Sequence, residues 1–128
     1  MPIEYCEKYR SIIVKYQYKI DEFMNNIKKK NVEYADVAVV PVVITTYDKP
    51  NIILYYNEEF NNLLNYKNNE LLYADILQIR DDKLTNEKRI VNMTKDGVKF
   101  QHIFDIFDFS INDTKMKIGL TKETKKIV

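Results

Sequence analysis

Cysteine occurs once in this 128-residue chain, glycine twice, histidine once and tryptophan not at all. The single thiol, Cys6, excludes an internal disulfide and any multi-cysteine metal site, and it suits a reducing compartment. Two glycines are too few for a Gly-rich phosphate loop. Charge of one sign is lacking as well. Lys and Arg number 20 against 19 Asp and Glu, so no global field draws the chain to nucleic acid or to an anionic membrane. Long hydrophobic runs are missing too. The N-terminal MPIEYCEKYR carries charge from Glu4 onward and has no apolar signal core. The longest apolar stretch, Val37 to Ile44, falls far short of the ~20 residues that cross a bilayer. These absences point to a cytoplasmic protein with neither a nucleic acid nor a membrane as partner. What is present is a 45% hydrophobic composition, enough to build the core of one domain but not of two.

Along the N-terminal region, Cys6, Tyr9, Ile13, Tyr16, Ile20, Phe23 and Ile27 recur alternately three and four residues apart. That spacing predicts one long helix with a heptad seam. Lys8, Arg10, Lys15, Lys19, Asp21, Glu22 and Lys28 fill the positions between and solvate the opposite face. The Lys28-Lys29-Lys30 run suits a helix C-terminus, where cations meet the negative end of the dipole. The chain thus divides into a helical element over 1–31 and a domain over 32–128. Three heptads are marginal for a free coiled coil, and tyrosine packs poorly at seam positions. The seam is expected to dock on the chain's own sheet and to join two copies in a homodimer, with a purely intramolecular cap as the alternative.

The stretch Val42 to Leu64 sets two β-branched and aromatic runs around Asp48-Lys49-Pro50-Asn51 and leads into a helix. Pro50 presets φ for a type I or II turn. Asn57 has the chemistry of an N-cap, and Glu58 and Glu59 favour the positive end of the dipole. Asn65 suits the left-handed residue at the helix end, and Asn68 or Asn69 can cap the next turn. The last third is β. Asp96-Gly97 predicts a type I′ hairpin between Arg89–Thr94 and Val98–Ile111, Asn112-Asp113 a second turn, and Met116, Ile118 and Leu120 alternate along a final strand. The long strand has two apolar faces, with Val98, Phe100, His102, Phe104 and Ile106 on one and Ile103, Phe107 and Phe109 on the other. One face suits the domain core. The other needs a cover, which the N-terminal stripe can supply.

A strand, a turn, a strand ending in Tyr-Asn and a polar-capped helix, followed by Leu64, Asn65, Tyr66, Glu70 and Leu71, resembles the opening of a PAS domain, with Asn65 where the family usually has glycine. KDGVKFQHIFDIFDF and KIGLTKET resemble its long hairpin and final strand. The resemblance spans about Val32 to Lys122. It implies an α+β fold: a five-stranded antiparallel sheet in the order 2-1-5-4-3, short helices on one face and the N-terminal amphipathic helix on the other. It also implies a sensory or regulatory module in signal transduction, with a possible small-molecule ligand. The stretch from Glu70 to the Lys95-Asp96-Gly97 turn is too short for the helix that walls the family's ligand pocket. That wall reads as a turn around Asp81 to Asn86 or, alternatively, as a short helix within Lys83 to Met93. Its shortening argues against a large cofactor such as haem or flavin, and Cys6 lies outside the helical motif that carries a photoreactive flavin-binding cysteine.

Candidate pocket residues are Tyr56, Tyr73, Phe100, His102 and Phe104. A phenol can anchor a polar ligand group, and His102 can in principle titrate or ligate haem. A lone histidine with no partner ligand reads first as structural. Tyr9, Ile13, Tyr16, Ile20, Phe23, Ile27, Ile103, Phe107 and Phe109 form the candidate helix or dimer interface. Asp105 with Asp108, or Asp81 with Asp82, do not read as a working acid/base pair, and no nucleophile, base and orienter set is legible. The expectation is therefore a non-enzymatic sensor whose small ligand changes the geometry of a homodimer. A ligand-free dimerisation module stands as the alternative, a small-molecule enzyme on a similar scaffold stands behind it, and a kinase, cyclase or transcription regulator is the expected downstream partner.

Overall fold

The computed structural model describes residues 3–30, 34, 39–67, 69–81, 85 and 90–127, with the side chains of Ile3, Glu4, Ile103 and Phe104 left out. Two helices, α1 (Ile3–Lys15) and α2 (Gln17–Lys30), precede strands β1 (Val42–Thr46) and β2 (Ile53–Tyr56). Helix α3 (Glu58–Leu64), a 3₁₀ turn (Ile76–Ile79) and strands β3 (Ile90–Met93), β4 (Lys99–Ile111) and β5 (Thr114–Lys126) follow. The strands form one antiparallel sheet in the order β2-β1-β5-β4-β3. This is the architecture expected from the sequence.

The N-terminal seam is real, but the single long helix is not. The chain breaks at Tyr16, whose carbonyl accepts from the Lys19 amide (2.9 Å) in a tight three-residue step. An unbroken helix drifts ~20° per heptad against a seven-residue repeat. The break resets that drift, so Cys6, Ile13, Ile20 and Ile27 all enter one core. They meet Val42 and Ile44 of β1, Phe109 and Ile111 of β4, and Met116, Ile118 and Leu120 of β5. Phe23 packs edge-on against Phe107 and Phe109, with ring centroids 5.7 and 5.2 Å apart. The chain's own sheet thus covers the stripe. The opposite face of the sheet carries a second core, in which Val43 and Ile53 meet Phe60 and Leu64 of α3, Leu71, and Ile76 and Ile79 of the 3₁₀ turn.

The caps of α3 follow from single residues. Asn57 accepts from the Phe60 amide (3.0 Å), accepts from the Val42 amide (2.9 Å) and donates to the Val40 carbonyl (2.7 Å). One amide side chain therefore starts the helix and ties it to the head of β1. Asn65 ends it at φ 57°, ψ 38°, the left-handed geometry that Asn tolerates where glycine is usual.

The turns differ from expectation in one place. Lys95 and Asp96 do not take positive φ; Gly97 alone does (+83°), and its amide donates to the Thr94 carbonyl (3.0 Å). The β3–β4 connection is thus a longer loop with glycine in the left-handed position, not the type I′ turn. The type I′ signature sits at Asn112-Asp113, with φ 49° and 64°, between the paired Ile111 and Thr114. The Lys49–Pro50 peptide in the β1–β2 connection is cis. Thr46 and Asn51 close that connection: the Ile52 amide donates to Thr46 Oγ1 (2.9 Å), and Asn51 Nδ2 donates to the Thr46 carbonyl (2.9 Å). The expected Asn68 cap and the shortened wall at Asp81 to Asn86 lie outside the described residues, apart from Asp81 and Thr85. Within Lys83 to Met93, the Ile90–Met93 portion is strand.

Candidate functional site

A cavity of about 220 Å³ opens on the α3 side of the sheet, roofed by the 3₁₀ turn. Strand register explains its floor. Val43 of β1 pairs with Gly119 of β5, and Gly119 pairs with Ile106 of β4, so the three form one row on one face. The middle member has no side chain. Gly97 takes a positive φ, whereas Gly119 does not, and Gly119 contributes no side chain to the row between Val43 and Ile106. Ile106 is 54% exposed, a large apolar side chain bared in that row.

The wall opposite is built by β3 and the 3₁₀ turn. Ile90, Asn92, Ile76 and Arg80 line it. Arg80 forms an isolated antiparallel bridge with Asn92, which brings the two residues together at the cavity wall. Asn92 is 1% exposed and its Oδ1 is buried without a hydrogen-bond partner. A buried unpaired amide oxygen is costly, about 1–3 kcal/mol, and this one belongs to a residue lining a cavity. Among the described residues, Thr45, Lys49, Asn51 and Lys117 also line it.

Of the pocket residues expected from the sequence, Phe100 and His102 lie side by side, whereas Tyr56 and Tyr73 lie apart from them. Tyr56 packs on Phe60 at the α3 end, with ring centroids 6.2 Å apart and its hydroxyl buried without a partner. Tyr73 corrects the expectation most clearly. It packs against the core under α1 and α2, on the other side of the sheet, because the segment Ala74–Ile76 runs beside β2 and places Tyr73 across its edge. His102 is buried between Ile90 and Thr124, with Nδ1 3.2 Å from Thr124 Oγ1 and Phe100 beside it at 6.5 Å between ring centroids. Burial lowers its pKa to about 4. The side chains of Phe104 and Ile103 lie outside the described residues. Of the interface set, Ile13, Ile20 and Ile27 are buried within the chain, while Tyr9, Tyr16, Phe23 and Phe107 pack half-buried on that core. The cavity residues that sequence reasoning passed over left two signals: a glycine inside an otherwise strand-like run, and Asn92 amid Ile90, Val91 and Met93, where a strand disfavours asparagine.

The aspartates divide between faces. Asp105 accepts from the Tyr34 hydroxyl (2.8 Å) and pairs with Lys122 (3.1 Å) on the α1–α2 side, whereas Asp108 lies near Lys117 (3.7 Å). Among the described residues no group of three His, Cys, Asp or Glu side chains is placed to hold a metal ion, and no helix is long and apolar enough to cross a membrane.

No protein-family profile matches the chain, and no curated protein does. Solved structures do. A variant of Vivid is similar at 16% identity and a TM-score of 0.52, over 64% of this chain and 80% of that one. A fungal LOV-domain photoreceptor, described with a pathway integrating blue light and oxidative stress, is similar at 14% identity and a TM-score of 0.57, over 84% and 91%. The likeness establishes the fold, that of PAS domains and of the LOV domains among them. The cavity is smaller than the ~300–1,000 Å³ usual for drug-sized ligands. The chain's one cysteine, Cys6, lies in the core on the opposite face of the sheet, where burial raises its thiol pKa.

Proposed function

We propose that this domain is a non-catalytic sensory module that binds a small ligand between β1, β5, β3 and the 3₁₀ turn and reports it through α1 and α2. The observation that carries this reading is the sharing of two strands by two sites. Val43 and Gly119 border the cavity, and their immediate neighbours Val42, Ile44, Ile118 and Leu120 hold Ile13 and Ile20 on the other face. A packed core is poorly compressible. A ligand that displaces β5 within the cavity therefore repacks the helices behind it, and its differential affinity for the two arrangements sets the size of the response.

A fragment screen observed by methyl NMR tests the reading, with Gly119→Leu as the blocked control. Gly119 lines the cavity and does not take a positive φ, so a leucine there adds bulk to the lining without demanding an unusual backbone. The expected result is a set of fragments that shift the Ile90 and Ile106 methyls in the wild-type protein and lose at least tenfold in affinity in the variant. Fragments that bind both proteins equally, or none at all, would overturn it.

A second reading, a ligand-free dimerisation module, is favoured by Tyr5, Val14 and Tyr18, each more than half exposed on α1 and α2. A homodimer in solution that binds none of the fragments would support it.

A further inference from the structure

We infer that the outer edge of β4, from Ile106 to Ser110, takes up an extended peptide of basic and aliphatic character as an added strand. That partner is distinct from the cavity ligand, and its docking is independent of whether the cavity binds one. Hairpin register creates the edge. Ile111 pairs with Thr114 across the two-residue turn at Asn112-Asp113. Ile111, Phe109 and Phe107 therefore exchange backbone hydrogen bonds with β5, and Ser110, Asp108 and Ile106 turn both N–H and C=O away from it. On that outer side β3 has only four residues and pairs with Lys99 to His102. Among the described residues none donates to or accepts from the outward backbone groups of Ile106, Asp108 and Ser110. Ile106 is 54% exposed, the Asp108 side chain 70%, and Ser110 is exposed as well, so this length of strand faces solvent.

The two outermost strands are treated differently. On β2 the Ile53 amide donates to the Ala74 carbonyl (2.8 Å), the Tyr73 amide donates to the Ile53 carbonyl (2.8 Å) and Arg10 donates to the Leu54 carbonyl (3.4 Å). On β3 the Asp81 amide donates to the Val91 carbonyl (2.8 Å), and the Val91 amide donates to Thr85 Oγ1 (3.1 Å). Those edges are closed by the chain itself, whereas a bare edge is a template for another strand.

The side chains along the bare edge select its occupant. Ile106 is apolar, Asp108 anionic and Ser110 polar. Lys117, the cross-strand neighbour of Asp108, stands over the Tyr47 ring at 5.1 Å and stays 3.7 Å from the carboxylate. Asp108 is thus open to a cation on its outer side. Directly opposed residues interact across an antiparallel pair, opposite charges favourably and like charges unfavourably. A strand antiparallel to β4, in line with β3, then reads polar-x-basic-x-aliphatic from its N-terminus, opposite Ser110, Asp108 and Ile106. Main-chain bonds supply the affinity and these pairs the choice of partner. A second copy fits less well, because symmetric pairing of two such edges sets Asp108 against Asp108, Ile106 or Ser110 and never against a cation.

Amide-resolved NMR titration of the full chain with three end-blocked peptides tests this: Thr-Val-Lys-Val-Val, the same peptide with glutamate in place of lysine, and the first peptide N-methylated at its lysine. The lysine peptide is expected to shift the amides of Ile106, Asp108 and Ser110 and to slow their hydrogen exchange. It should bind about fivefold or more tighter than the glutamate peptide. N-methylation removes the main-chain donor opposite Asp108 and no side chain, and should weaken binding about tenfold or more. In Asp108→Lys the preference between the lysine and glutamate peptides should reverse. No shifts at this edge, equal binding of the glutamate or the N-methylated peptide, or a lysine preference unchanged in Asp108→Lys overturns the inference. Concentration dependence of the same three amides without peptide also overturns it, by assigning the edge to a second copy.

Discussion

Removal of residues 1–30 is expected to abolish the stable fold of what remains. Ile13, Ile20 and Ile27 are buried in the same core as Ile44, Ile118 and Leu120. At about 1.5–3 kcal/mol for each fully buried isoleucine, their loss removes roughly 5–9 kcal/mol, before counting Cys6 and the half-buried Phe23. Domains of this size are stable by only about 5–15 kcal/mol. The truncated chain would also bare Phe107, Phe109, Met116, Ile118 and Leu120 as one apolar sheet face, a surface prone to self-association. Urea unfolding and size-exclusion chromatography of residues 31–128 provide the check. Aggregation or a non-cooperative transition is the expected outcome. A soluble monomer unfolding cooperatively near the wild-type midpoint would mean that the helices are an appendage and not half of the core.

The second large effect concerns pH. His102 is 1% exposed, and desolvation lowers its pKa from 6.5 to about 4. The folded-state value lies below the unfolded one. Above pH 6.5 the ring is neutral in both states and stability is full. As pH falls the unfolded chain takes up the proton first, and stability is lost progressively until the folded protein also protonates near pH 4. A shift of that size corresponds to roughly 3 kcal/mol across the window. Denaturant titrations at pH 7 and pH 4.5 should show most of this loss in the wild-type protein and a much smaller one in His102→Phe. Parallel pH dependence in the two proteins would place the sensitivity elsewhere, among the carboxylates.

Much of the fold was legible because local chemistry and tertiary packing agree. The seam spacing of Cys6, Ile13, Ile20 and Ile27 describes a face that is buried, and Asn57 and Asn65 act at the ends of α3 as their side chains suggest. What was not legible depended on distant partners. The break at Tyr16 follows from fitting two helices to a twisted sheet, which the heptad pattern alone does not contain. Asp96-Gly97 carries the composition of a type I′ turn, yet the register of Met93 with Lys99 demands a longer loop. The site was the least legible part. Aromatic residues drew attention to Tyr73, which the edge of β2 carries to the far side of the sheet. The residues that shape the cavity are instead a glycine defined by its missing side chain and an asparagine defined by a missing partner. Neither property exists until Val43, Gly119 and Ile106 stand in one row and Arg80 meets Asn92.

The most direct test of the account is methyl-resolved NMR of the isoleucines in wild-type and Gly119→Leu protein, because filling the cavity requires no knowledge of the natural ligand. Coupling through β1 and β5 predicts that the Ile13 and Ile20 methyls, on the opposite face of the sheet, shift together with those of Ile90 and Ile106. If Ile90 and Ile106 move while Ile13 and Ile20 superimpose on the wild-type spectrum, the sheet does not carry the signal, and the proposed route from cavity to helices is wrong.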